Sequence, residues 1–348
     1  MTTHVSPHAA RRTPASRTRR PGAVRTVGIA LYGLGTVGSG VVEALEARRP
    51  ELLRRFGLDL RLHHVVVRDP SLPRGVAVDP ALVTTDRHAP LEDPAVDLVV
   101  EVMGGLDHAG DVVRAALRTG RGVVTANKAL IATAGDELER LARAGGGRLR
   151  YEAAVGGAIP ILHALRGALV ANRIDRVRGI VNGTTNYILT RMAEDRLDLG
   201  AALADAQAKG FAEADPTADV SGLDAAQKLV ILARHAFGRW PVLDRATVEG
   251  IGAVTPEAIE DAERRGRRIK LIAEAVRDGN DEPTLWVAPI ELDRDEPLAA
   301  VQGVMNAIQV TGDFAGPLLF GGPGAGGRPT ASAVVADIVE LARSRRGR

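Results

Sequence analysis

Residues 26–32 (TVGIALY) form a short apolar run that ends directly on Gly33-Leu34-Gly35-Thr36-Val37-Gly38, and an apolar-periodic stretch, 39–48, follows without a break. The order strand, G-x-G-x-x-G, helix leaves a chain few folds to choose from. The first glycine permits the tight turn, the second lets backbone approach a pyrophosphate, and the third lets helix pack on strand. The helix N-terminus then faces the phosphates. This predicts an α/β protein whose first half, with Gly33, Gly35, Thr36, Val37 and Gly38 at its centre, binds a dinucleotide. The competing reading is a glycine-rich turn in some other α/β protein.

The pattern continues in kind. Strands are predicted at 62–68 (LHHVVVR), 96–102 (VDLVVEV), 122–125 and 149–155, with a helix over 107–119. In open α/β sheets, ligands sit beyond the carboxyl ends of the strands. Gly104, Gly105, Asn127 and Lys128 occupy such ends. An acid at the end of the second strand suits an NAD ribose, and an arginine suits a 2′-phosphate. The chain offers Arg68 and then Asp69. NADP with Arg68 on the phosphate is the expectation; NAD, with Arg68 a solvated strand end, stays open.

Composition narrows the function classes. The 348 residues suffice for two domains with sizeable cores. The absence of cysteine excludes disulfides, thiolate metal sites and thioester-forming dehydrogenases. No apolar run reaches the roughly 18–20 residues that span a bilayer, and the chain is expected to be cytoplasmic. Six arginines and no acid fall within residues 1–26, so the formal charge of +2 hides a net acidic body. The expected layout is a disordered basic tail (1–25), a dinucleotide-binding domain (26–155), a substrate-binding and dimerisation domain (156–328) and a helix returning to the first domain (329–348). Neither nucleic acid nor membrane is expected as a partner; a small-molecule substrate and a homodimer are.

The second half is expected to be α+β. A turn at 156–160 (GGAIP) leads to a helix over 161–170. A strand at 173–181 ends in Asn182-Gly183-Thr184-Thr185-Asn186, which suits either ligand contact or capping of the next helix. Strands near 268–276, 284–292 and 303–311 predict a mostly antiparallel or mixed sheet, and 321–327 (GGPGAGG) reads as a loop or linker. The segment 209–228 (KGFAEADPTADVSGLDAAQK) carries Glu213, Asp215, Asp219 and Asp224, with Lys228 at its end. Asp215-Pro216 predicts a turn, Ser221 an N-cap and 223–236 a helix. On that helix Asp224 and Lys228 share a face. They are either a surface salt bridge or a pocket for a cationic ligand with a lysine beside it.

Taken together the segments resemble homoserine dehydrogenase over about residues 26–337. The motifs are GLGTVGSGV at 33–41, EVMGG at 101–105, TANKAL at 125–130, EAAVGGAIPI at 152–161, GIVNGTTNYIL at 179–189, GFAEADPTADVSGLDAAQKL at 210–229 and GPGAGGRPTASAVV at 322–335. The resemblance implies a Rossmann-type domain and reversible, NAD(P)-dependent oxidation of L-homoserine to L-aspartate 4-semialdehyde. It implies that Lys228 is the acid/base, that Asp224 lies beside the substrate oxygen, and that Lys128 lies between cofactor and substrate. Glu213 and Asp219 would bind substrate, and Gly326 would join Gly104 and the first glycine loop at the cofactor. A monovalent cation, sodium, would rest on Glu152 and the carbonyls of Val155, Gly157 and Ile159. The expected form lacks the C-terminal threonine-sensing ACT domain that many members carry. Two rivals are another NAD(P)-dependent oxidoreductase of a small amino alcohol or hydroxy acid, and a non-catalytic nucleotide sensor. The first has no use for the 210–228 cluster, and the second has no use for an acid/base lysine.

Overall fold

The computed structural model describes residues 24–277, 279 and 282–344. The basic segment 1–23, and with it most of the expected tail, lies outside the described residues. Two six-stranded sheets organise the rest.

The first sheet is parallel, in the order β3-β2-β1-β4-β5-β6. Strand β1 (Arg25–Tyr32) is buried on both faces along most of its length, as a central parallel strand must be. It passes through the glycine turn into α1 (Thr36–Phe56). This helix continues past the expected end at 48 and through Pro50, because Pro50 sits on an exposed face and Leu52 re-enters the core; Gly57 closes it at φ +65°. Strand β2 (Leu58–Val66) stops short of Arg68, which therefore lies in the following loop. Then come β3 (Val83–Thr84), α2 (Ala89–Glu92), β4 (Leu98–Glu101), α3 (Asp107–Arg118), β5 (Gly122–Thr125), α4 (Lys128–Gly145) and β6 (Arg148–Arg150). The strand predicted over 149–155 ends early for a clear reason. β6 is an edge strand, and the next free N–H, that of Glu152, donates to Asp337 Oδ2 at 2.8 Å instead of a neighbouring strand. Residues 152–154 make a 3-10 turn.

The second half opens with one α-turn, α5 (Ile161–His163), that widens into a π-turn over 164–168. The helix expected over 161–170 is therefore shorter, and most of it is π and not α. Then follow β7 (Ile174–Ile180), α6 (Gly183–Asp195), α7 (Leu199–Ala208), α8 (Thr217–Val220), α9 (Leu223–Phe237), β8 (Thr247–Val248), α10 (Pro256–Arg264), β9 (Arg267–Val276), β10 (Thr284–Asp293), β11 (Met305–Gly312) and β12 (Gly316–Pro323). The sheet order is β12-β11-β7-β9-β10-β8, antiparallel except for β8 against β10. Two expectations are corrected here. Ser221 ends α8, and α9 begins on Gly222 at φ +84°, a conformation a serine would adopt only under strain. Gly321-Gly322-Pro323 belong to β12, paired with β11, so the first three residues of the glycine run are sheet and not linker.

Helices α6, α9 and α10 cover one face of this sheet. A single apolar core then runs from Val99 and Val123 of the first sheet through Leu130 and Leu138 of α4 to Leu229 and Ile231 of α9 and Val177 of β7. Finally α11 (Gly327–Ser344) packs along α1, and its Val334, Ile338 and Leu341 join the core of Val27, Ile29 and Leu31. The two helices approach closely: a side chain at Gly40 would lie 2.8 Å from the Gly327 carbonyl.

Candidate active site

Three strand ends shape the nucleotide loop. Gly33 has φ +103°, and its N–H donates to the Val66 carbonyl at 2.9 Å. A Cβ on Gly38 would stand 2.1 Å from the Gly33 carbonyl, whereas one on Gly35 would meet nothing within 4 Å. The loop is therefore closed against protein at Gly38 and open to a ligand at Gly35. Gly35 caps α1 with no side chain, which leaves the first-turn N–H groups of Thr36, Val37 and Gly38 for an anion. These residues fit a pyrophosphate.

Beside this loop the 103–105 turn is fixed by a buried acid. Glu101, at the end of β4, accepts from the N–H groups of Met103 (2.8 Å) and Gly104 (3.1 Å) and from the Thr125 hydroxyl (2.5 Å). Burial raises its pKa above the usual carboxylate value. Asn127 donates to the Gly105 carbonyl at 2.6 Å and accepts from Leu130 N–H, capping α4. Gly104 and Gly105 hold φ of +74° and +77° with open space beyond them. An acid directly after the apolar Leu98-Val99-Val100 is the signal for Glu101, whose role the sequence reasoning did not assign.

On the far side of β1, Arg68 is exposed and makes no hydrogen bond among the described residues. Arg74 instead reaches into the fold. Its guanidinium donates to the Leu34 carbonyl at 3.1 Å and the Asp69 carbonyl at 2.6 Å. It lines a cavity of about 410 Å³ with Leu34, Val67, Pro70, Val76 and Val78. Sequence reasoning missed Arg74 because nothing local marks an arginine that folds back onto a distant turn. Gly326, at φ +116°, precedes α11; a side chain on its neighbour Gly327 would meet the Thr36 carbonyl at 3.0 Å. The glycine run thus serves approach to the first turn of α1.

The catalytic candidates meet where the domains face each other. Lys228 Nζ donates to Asp224 Oδ2 at 2.7 Å and to the Val181 carbonyl at 2.8 Å. Lys128, the first residue of α4, lies 3.1 Å from Asp224 Oδ1. Asn182 joins the group: its Nδ2 donates to Asp219 Oδ1 at 2.6 Å and Asp224 Oδ2 at 2.7 Å, while its Oδ1 accepts from Thr185 N–H and caps α6. Of the two alternatives for this strand end, capping of α6 is observed, and the same side chain holds the Asp219 and Asp224 carboxylates. Burial alone would push the Asp224 carboxyl up. The ammoniums of Lys228 and Lys128, with the hydrogen bonds from Lys228 and Asn182, outweigh burial and hold it at about 2. Asp224 is thus an anion set between two lysines, and not a surface partner. Glu213 stands apart from this network. It is exposed on a loop that Thr184 pins by its hydroxyl to the Phe211 carbonyl at 2.8 Å, and its carboxylate makes no hydrogen bond among the described residues.

The Glu152 region carries a dense charge cluster. Carboxylate oxygens of Glu152 accept from Leu162 N–H (2.8 Å), His163 N–H (2.7 Å) and His163 Nδ1 (2.6 Å). Hydrogen bonds to Glu152 and Glu340 raise the His163 pKa to about 10, so the ring is an imidazolium. Arg166 stands 3.6 Å from Glu152 and 3.7 Å from Asp337. Glu152, His163 and Asp337 each bring one possible ligand atom within 4.8 Å of the others; burial raises the Asp337 carboxyl to about 7, and its Oδ1 is buried with no hydrogen-bond partner among the described residues. The Val155 and Gly157 carbonyls accept no hydrogen bond among the described residues, and that of Ile159 accepts from Ile161 N–H.

Comparison with known proteins now decides the family. A family model described as homoserine dehydrogenase matches residues 160–339, and one described as its NAD-binding domain matches 33–152. The chain belongs to the homoserine dehydrogenase family. Homoserine dehydrogenase of Bacillus subtilis (strain 168) is 42% identical over 323 residues, covering 93% of this chain and 74% of that protein. A crystal structure of a homoserine dehydrogenase from Thiobacillus denitrificans superimposes with a TM-score of 0.86 at 43% identity, over 92% of this chain and 74% of that one. A hyperthermophilic archaeal homoserine dehydrogenase in complex with NADPH gives 0.77 at 27% identity, over 92% and 98%. The fold is that of homoserine dehydrogenases: a Rossmann-type NAD(P)-binding domain and a mixed-sheet domain. Among the described residues, no helix is long and apolar enough to cross a membrane.

Proposed function

We propose that this chain interconverts L-homoserine and L-aspartate 4-semialdehyde in amino-acid biosynthesis, with Lys228 as the acid/base. The observation that carries this reading is the convergence of Lys228 and Lys128, one from each domain, on the buried Asp224 carboxylate. A bound nicotinamide dinucleotide supplies the hydride donor or acceptor. One proton must then move at the substrate oxygen, and a positioned lysine can give or take it. Asp224 and the Val181 carbonyl fix the Lys228 ammonium. Positive charge held there before reaction stabilises a developing alkoxide. Asp219 and the exposed Glu213 are the carboxylates for the substrate α-ammonium. Gly33, Gly35, Thr36, Val37, Gly38, Gly104 and Gly326 surround the cofactor, and Arg68 faces the 2′-phosphate of NADP.

A monovalent cation, if the protein holds one, rests on the carbonyls of Val155, Gly157 and Ile159, with the Glu152 carboxylate engaged elsewhere. Homodimerisation uses the second face of the mixed sheet, where Trp286 and Ile290 are only partly buried beside Ile272 and Leu292. Light scattering of a Trp286→Glu variant tests this, and an unchanged mass would remove that face from consideration. The decisive assay is purified protein with aspartate semialdehyde and NADPH, then NADH. Absence of turnover with either would sink the reading, and faster turnover with NADH would reverse the cofactor preference.

A further inference from the structure

Away from the catalytic lysines, the second domain has a partly open pocket of about 110 Å³ between α6, α10 and the start of β9. Its polar lining comprises Thr190, Glu194, Glu263, Arg268, Lys270 and Gln302. The volume is far below the roughly 300–1,000 Å³ of a site for a drug-sized ligand, so an occupant must be small. The cations come from β9 and the carboxylates from α6 and α10.

Lys270 is unusual among these residues. It is 3% exposed, and its Nζ donates to Asn186 Oδ1 at 2.9 Å and the Val301 carbonyl at 2.5 Å. Both acceptors are neutral, and no carboxylate pairs with it among the described residues. An ammonium has three donors, and a buried charge without a counter-ion is costly. Burial, with Arg268 beside it, lowers the Lys270 pKa to about 8. The neighbouring acids have moderate ties of their own: Glu194 accepts from Gln302 Nε2 at 3.0 Å, and Glu263 lies 2.8 Å from Arg196.

We propose that this cavity is a non-catalytic site for a small zwitterionic α-amino acid, its carboxylate on Lys270 and Arg268 and its ammonium on Glu194 and Glu263. The anion supplies the counter-charge that Lys270 lacks, and the two acids supply the opposite pole. The site is joined to the catalytic carboxylates by one helix. Asn186, Thr190 and Glu194 lie on α6, and the N-cap of that helix, Asn182, holds Asp219 and Asp224.

The test is calorimetric titration of the full chain with glycine, L-alanine, L-serine and L-threonine at millimolar concentration, and with acetate and methylammonium as the two half-ligands. At least one amino acid should bind, more tightly than either half. Affinity should fall by at least about tenfold in Arg268→Gln and in Glu194→Gln, a shift well outside measurement error, and should persist in Asp224→Asn. Glu194 is exposed, so its substitution leaves the fold in place. No binding of any of the four, or unchanged affinity in both cavity variants, overturns the proposal. Loss in Asp224→Asn alone overturns it too, by placing the binding in the catalytic cleft. Turnover is not measured, so the outcome is separate from that of the proposed reaction.

Discussion

Lys128 and Asp224 belong to different domains and meet at 3.1 Å. Lys128 opens the helix that follows β5, at the cofactor side of the cleft, and Asp224 stands in the first turn of α9. One carboxylate thereby receives a lysine from each domain, Lys128 on Oδ1 and Lys228 on Oδ2, so its setting depends on both.

Lys228→Ala should lose about 10²–10⁴-fold in kcat, the usual worth of a positioned acid/base, while NADPH affinity by fluorescence titration stays unchanged. Near wild-type kcat would move the proton to Lys128.

Asp224 gives a pH signature. Its carboxyl is held at about 2 when folded, against 3.8 ordinarily. A depressed carboxyl contributes stability that is fully present above the ordinary value and lost as pH falls through the folded one. Between pH 3.8 and about 2 the advantage of wild type over Asp224→Asn in urea unfolding should shrink by on the order of 2 kcal/mol, at 1.36 kcal/mol per unit. An advantage that stays constant across that window would show that folding does not depress the Asp224 carboxyl.

Glu213→Gln should raise KM for homoserine more than it lowers kcat, since a partner of the substrate ammonium binds ground and transition states alike. A collapsed kcat at constant KM would put Glu213 in the chemistry.

Arg68→Ala and Arg74→Ala should differ. Arg68 is exposed and free to meet a 2′-phosphate, so its loss should weaken NADP and spare NAD. Arg74 holds the Leu34 carbonyl of the glycine loop, so its loss should weaken both. Paired Kd values for the two cofactors decide it, and equal loss for both in Arg68→Ala would assign Arg68 to the shared adenosine or to the fold.

The nucleotide half was legible because glycine spacing and continuous apolar strands are local signals. The turn at Gly33 and the crowding at Gly38 follow from residue type and position alone. Ser221 misled because its side chain suits a cap, while the backbone there needs the positive φ that Gly222 supplies. The Gly321–Pro323 strand was hidden because glycine and proline carry no strand signal, and β11 pairs with them regardless. Asn182 also reaches Asp219 and Asp224, and Glu101 reaches Thr125 on the neighbouring strand, and these distant partners lie in no short window of sequence.

The packing of α11 on α1 reaches into how the molecule is made. Val27, Ile29 and Leu31 leave the ribosome early, yet Val334, Ile338 and Leu341, which complete their core, are translated some three hundred residues later. Until then one side of the first sheet has only α1 as cover and shows apolar surface to any chaperone within reach. The strands of the nucleotide-binding half thus precede the mixed-sheet half in synthesis, yet the helix that covers them follows it.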